Sequence, residues 1–141
     1  MEEYTLRGYR IGCDVYVDIP HKRIVYLSTD KKNANLQVVY LRKTMMRLLI
    51  YILEHAQYHI VSDEDIMINV WDAQGLSSSR QRLWQVIDEL NKKFESFGVG
   101  SEFIWRVKKQ GYTINKESIT LIYFKRIQVN GIGGEEGEFN I

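Results

Sequence analysis

Between residues 78 and 116 the chain gathers the side chains best suited to molecular recognition. Ser78, Gln81, Gln85, Asp88 and Lys92 follow one another at intervals of three or four residues, which sets them on one face of a helix. Arg80, Arg82, Trp84, Asn91 and Lys93 flank that face. A glutamine carboxamide carries a donor and an acceptor side by side, matching an adenine edge, while Arg and Lys match guanine or phosphate. Taken alone, such a face is the ordinary polar side of an amphipathic helix. The segment that follows changes the balance: Phe103 to Lys116 contains Arg106, Lys108, Lys109 and Lys116 and no acid. A β-hairpin with a basic tip can lie along phosphates or in a minor groove beside a helix seated in the major groove.

Other chemistries find little support. His55 and His59 are four apart but lack a third ligand, and His21 falls in a turn, so no metal site is expected. No Ser or Cys occupies a strained elbow, and no His–acid pair is set by spacing, so the chain is not expected to be an enzyme. Asp63-Glu64-Asp65 reads as the acidic start of a helix, not as an acid–base pair. Gly131, Gly133 and Gly134 lack the helix start and Lys-Ser/Thr of a phosphate loop, and no cofactor is implied. Cys13 is the only cysteine, which excludes an intrachain disulfide and suits a reducing compartment. Its place among alternating apolar residues predicts a small buried core residue.

The elements that must position the polar face follow from the hydrophobic period. A chain of 141 residues with 45% hydrophobic and 26% charged content is long enough for one domain with a real core. Tyr9, Ile11, Cys13, Val15 and Val17 alternate with polar residues as in a half-buried strand. Arg23 to Leu27 and Leu36 to Leu41 read as two further strands, separated by a polar loop from Ser28 to Asn35. The period then lengthens. Met45, Leu48, Leu49, Ile52 and Leu53 place a helix at about Thr44 to His55. Ser62 with Asp65 predicts the capped start of a second helix, ending near Trp71, with Ile66, Val70 and Trp71 toward the core. Leu83, Ile87, Leu90 and Phe94 mark the buried stripe of a third helix over residues 78–97, ended by Gly98. Phe103 to Lys108 and Tyr112 to Ile114 then read as a hairpin across Lys109-Gln110-Gly111.

The stretch from Val38 to Ile114 resembles the OmpR/PhoB-type winged helix-turn-helix DNA-binding domain, and more closely its ToxR/CadC-like branch. The residues that carry the resemblance are Leu48-Leu49, Val61-Ser62, Val70-Trp71, Leu83-x-x-x-Ile87-x-x-Leu90, Phe94 and Gly111-Tyr112-Thr113-Ile114. The likeness extends over about residues 8 to 115. It implies an α+β fold: an N-terminal antiparallel sheet, three helices and a C-terminal β-hairpin wing. It implies sequence-specific binding of double-stranded DNA and transcription regulation, with helix 78–97 in the major groove and wing 103–114 on phosphate or minor groove. Groove contacts then fall on Gln81, Trp84, Gln85, Asp88 and Lys92, and wing contacts on Arg106, Lys108 and Lys109. Phosphate contacts near the starts of the second and third helices fall on Ser62, Trp71, Ser78 and Arg80. The sequence departs from the pattern at Asn91, where the family commonly has Arg, and at Arg42 and Met45, where it commonly caps its first helix.

The expected organisation is a domain at 1–116, an added strand at 117–130 and a disordered acidic, glycine-rich tail at 131–141. That tail carries Glu135, Glu136 and Glu138; setting these three acids aside raises the formal charge from +1 for the whole chain to +4 for the rest. With no basic leader before an apolar run and no stretch of about 20 apolar residues, a soluble protein without a membrane span is expected; the resemblance implies that it is bacterial and cytoplasmic. The resemblance implies a stand-alone regulator, acting as a homodimer on DNA and in contact with RNA polymerase or a partner regulator. The alternative is a winged-helix interaction module that binds such a protein without reading DNA.

Overall fold

The computed structural model describes residues 3–28, 35–100, 102–128 and 136–140. Eight strands and three helices follow one another as β1 (Glu3–Ile11), β2 (Val15–Asp18), β3 (Arg23–Ser28), β4 (Asn35–Tyr40), α1 (Lys43–His55), α2 (Asp63–Val70), α3 (Arg80–Ser96), β5 (Ile104–Val107), β6 (Gly111–Ile114), β7 (Ile119–Gln128) and β8 (Glu136–Asn140). A six-stranded antiparallel sheet runs in the order β4-β3-β2-β1-β7-β8, and β5 and β6 form a separate hairpin. The three helices pack between them.

The inward face of the sheet presents Tyr9, Ile11, Val15, Val17 and Ile24, all nearly inaccessible to solvent. Against it lie Leu48, Leu49, Ile52 and Leu53 of α1, Ile66 and Val70 of α2, and Leu83, Ile87, Leu90 and Phe94 of α3. The helical spacing of three and four produces these buried stripes. Tyr26 stacks on Phe97, with ring centroids 5.4 Å apart, and ties β3 to the end of α3. Each side chain of this kind contributes about 1.5–3 kcal/mol by leaving water, so the helices are held by shared burial more than by intrinsic propensity.

Several expectations are corrected. The alternation from Tyr9 to Val17 is not one strand: Gly12-Cys13-Asp14 turns the chain, and β1 pairs back on β2 with Ile11 opposite Val15. Cys13 sits at that turn and is exposed, not buried. The alternation persists because directly paired residues share a face, so odd-numbered positions point inward on both sides of the turn. The segment after the hairpin forms β7, which lies beside β1 along most of its length and makes β1 an interior strand. Residues 136–140, expected to be disordered, form β8 and pair with β7 from Phe124↔Asn140 to Gln128↔Glu136. Backbone pairing supplies order that their glycine- and glutamate-rich composition does not predict. The polar loop at 29–34 and the glycine cluster at 131–135 lie outside the described residues. Among the described residues, no helix is long and apolar enough to cross a membrane.

Candidate nucleic-acid interface

Helix α3 is the centre of the candidate surface. Ser79 caps it, its side chain accepting from the Arg82 amide at 3.1 Å. Gly98, at φ +81°, ends it, and the Val99 amide returns to the Phe94 carbonyl at 3.1 Å. With Leu83, Val86, Ile87, Leu90 and Phe94 buried, the opposite side presents Gln81, Arg82, Trp84, Gln85, Glu89 and Lys92 to solvent. Neither Gln81 nor Gln85 has a hydrogen-bond partner among the described residues, so both carboxamides remain available to a ligand.

The β5–β6 hairpin is held beside α3 by two separate devices. Asn91 donates from Nδ2 to the Ile104 carbonyl at 2.8 Å and accepts from the Ile104 amide at 2.9 Å through Oδ1. One carboxamide thus satisfies both backbone groups of one strand residue. The arginine common at this position could not accept from that amide. On the other flank, the Tyr112 and Val61 backbones exchange two hydrogen bonds of 2.8 and 2.9 Å, so the linker before α2 adds a short third rung to the hairpin. Gly111 makes this approach possible: a Cβ there would stand 1.9 Å from the Val61 carbonyl oxygen.

Charge across the surface is arranged in pairs. Asp63, the first residue of α2, is buried and accepts from Arg80 Nη1 at 2.7 Å and from Arg106 Nη1 at 3.0 and 3.1 Å. Arg80 also pairs with Glu64. The Glu64 carboxyl is held below the usual carboxylate range by its own backbone N–H at the helix start and then by Arg80. Lys92 pairs with Asp88 at 2.9 Å, and Arg42 with Glu89 at 3.2 Å. By contrast, Arg82, Lys108 and Lys109 have no acidic partner within 4.0 Å among the described residues. The last two occupy the hairpin tip, where Lys109 takes a left-handed φ of 65° and both side chains are exposed. Between α3 and β5 runs a groove of 440 Å³, whose lining includes Trp84, Asp88, Lys92, Trp105 and Arg106.

The positions implied by the resemblance therefore separate. Gln81, Trp84, Gln85, Asp88 and Lys92 share one side of α3; Arg80 and Arg106 converge on Asp63; and Lys108 and Lys109 extend the surface along the hairpin. Ser62 caps α2, accepting from the Asp65 amide at 3.1 Å, and Ser78 donates to Asp72 at 2.9 Å, so both hydroxyls already have partners. Trp71 is corrected: the residue is 2% exposed and belongs to the hydrophobic core, so its large indole is not offered to a phosphate. Three residues at the surface escaped the sequence reading. Asp63 was expected only to open a helix, Asn91 only to depart from a pattern, and Trp105, half exposed on β5, was read only as part of a strand. The partners of Asp63 and Asn91 are 13 to 43 residues away in the chain, beyond the reach of any local periodicity.

Comparison with known proteins places this geometry. The family described as transcriptional regulatory protein, C terminal, matches residues 36–114, more than half of the chain. Among solved structures, the DNA-binding domain of Escherichia coli CadC is similar, with a TM-score of 0.62 and 19% identity. That match covers 84% of this chain and 98% of the other, so the two share the winged-helix fold. No curated protein sequence matches.

Proposed function

Because this chain belongs to the family of transcriptional regulatory protein C-terminal domains, we propose that it binds double-stranded DNA and regulates transcription. In this reading α3 enters the major groove and the β5–β6 wing follows the adjacent phosphates or minor groove. Gln81 and Gln85 read base edges, with Trp84 supplying apolar contact to thymine methyl groups. Arg82, Lys108 and Lys109 meet phosphates directly. Arg80 and Arg106 meet them with the guanidinium edges turned away from Asp63. The observation that carries the reading is the pair of uncommitted carboxamides on α3 beside a wing tip whose two lysines lack acidic partners.

Selection of bound duplexes from a random pool at physiological salt tests it. Enrichment of one motif is the expected result, and a pool that stays random would count against base reading. Two copies on tandem or repeated half-sites are part of the proposal. Sedimentation of the selected complex should show two chains per duplex; one chain per duplex would end that part.

A second reading rests on the acids at this surface. Asp88 and Glu89 neutralise Lys92 and Arg42, and Trp84 and Trp105 are 57% and 51% exposed. A mixed-charge face with exposed indoles also suits RNA polymerase or another regulator. Salt separates the two. DNA binding through about four to six phosphates weakens steeply between low and physiological salt, whereas a protein interface with an apolar centre does not.

A further inference from the structure

Asp63 is the one charged side chain buried among the described residues, at 4% exposure. A carboxylate leaves water at high cost unless it is paired and its lone pairs are filled. Here three elements meet on it. It opens α2, Arg80 opens α3, and Arg106 lies on the wing strand β5. The two guanidinium groups are 61% and 45% exposed, so each bridges from the buried carboxylate to the surface. Arg106 also lies over the Tyr112 ring, 5.3 Å from its centroid, which steadies it from the second wing strand. Arg106 is held through Nη1 alone, whereas Arg80 gives Nη1 to Asp63 and Nη2 to Glu64; a planar guanidinium fixed in this way presents its remaining donors in a set direction, unlike a lysine on a mobile stem.

We infer that Asp63 is a positioning residue for sequence reading: it touches no DNA, yet it sets the angle between the recognition helix and the wing and aims Arg80 and Arg106 outward. The inference rests on the DNA-binding reading above. Its physical content is that non-specific attraction and specific reading respond to Asp63 in opposite ways. Removing the carboxylate charge frees Arg106 for any phosphate, leaves Arg80 with Glu64 alone, and leaves helix and wing less well aligned for one particular site. A pair that served only as cement for the fold would move both binding modes together.

Asp63→Asn in the whole chain tests this, with hydrogen exchange on the free protein and binding to the selected duplex and to an unrelated duplex. Amides of β5 and β6 should exchange about tenfold faster while those of α1 stay unchanged, because local opening of the wing becomes easier. The specific-to-non-specific affinity ratio should fall about tenfold, with non-specific affinity rising and its salt slope steepening by about one unit. Unchanged wing exchange together with an unchanged ratio would overturn the inference, as would equal loss in both binding modes. Asp63→Glu guards against a folding defect. It keeps the charge and displaces it by one methylene, so the ratio should fall with non-specific affinity unchanged, and an unaltered ratio would again overturn it. If the wild type prefers no duplex, the DNA-binding reading fails, and wing exchange alone then decides whether Asp63 pins the wing.

Discussion

At the scale of single residues, the proposed function divides the surface into groups that would read bases and groups that would attract phosphate. Gln85 is exposed and uncommitted near the middle of α3, where a bidentate contact to a base would form. Its replacement by Ala is expected to cost about 1–3 kcal/mol on the selected site and to relax preference at one base pair, measured by competition between single-base variants of that site. Lys108 differs in kind. It is exposed at the hairpin tip without an acidic partner among the described residues, and on the proposed reading its charge serves phosphates rather than a base. Lys108→Ala should weaken binding to every duplex and reduce the salt slope by about one unit in a titration series. Equal binding by the wild type and both variants would remove these residues from the interface. Arg80, Arg106 and Lys92 should contribute less to that slope than their charge suggests, because each already shares an acid. A phosphate must compete with a carboxylate that is in place.

Among the elements, the attachment of the wing carries the most information. Asn91 holds β5 with two hydrogen bonds, and Asn91→Ala leaves the Ile104 amide and carbonyl without those partners. A loss of about 1–3 kcal/mol is expected in a urea titration, and Asn91→Asp should not restore it, because its second oxygen would face the Ile104 carbonyl, acceptor against acceptor. How far this arrangement could be read from the chain depends on distance along it. The three helices, the cap of α2 at Ser62, and the hairpin were legible because periodicity and caps are local signals. The turn at Gly12-Cys13-Asp14 was not, since antiparallel pairing of Ile11 with Val15 keeps the same residues inward and leaves alternation unbroken. The hairpin turn was misplaced by one residue. Gly111 looked like a turn glycine but serves as a strand residue pressed against Val61, and the left-handed position falls instead to Lys109. The link from Asp63 to Arg80 and Arg106 was illegible for a similar reason. Acids at a helix start need no further explanation until coordinates show what faces them.

For the whole molecule, the sheet and helices share one core, and one ionisable group within it reports on their integrity. Tyr9 is 1% exposed, and burial, followed by the negative charge of Glu54, raises its hydroxyl well above the ordinary tyrosine range. The folded state therefore retains a proton that the unfolded chain releases above a pH of about 10. Its stabilising effect is complete below that pH and is lost as pH rises further. Urea midpoints measured from about pH 9 to 11 should fall for the wild type and fall less for Tyr9→Phe; parallel curves would reject this origin of alkaline sensitivity. The sheet has a consequence in time as well as in space. Glu3 lies opposite Arg126 and Ile11 opposite Ile119, so β1 acquires its second neighbour only after α3 and the β5–β6 hairpin, which lie between the two strands in the chain, have been made. Until then one side of β1 lacks its backbone partners. Such a distant pairing is slow to form, so until β7 arrives the open edge of β1 is a place where a nascent chain can pair with a stranger.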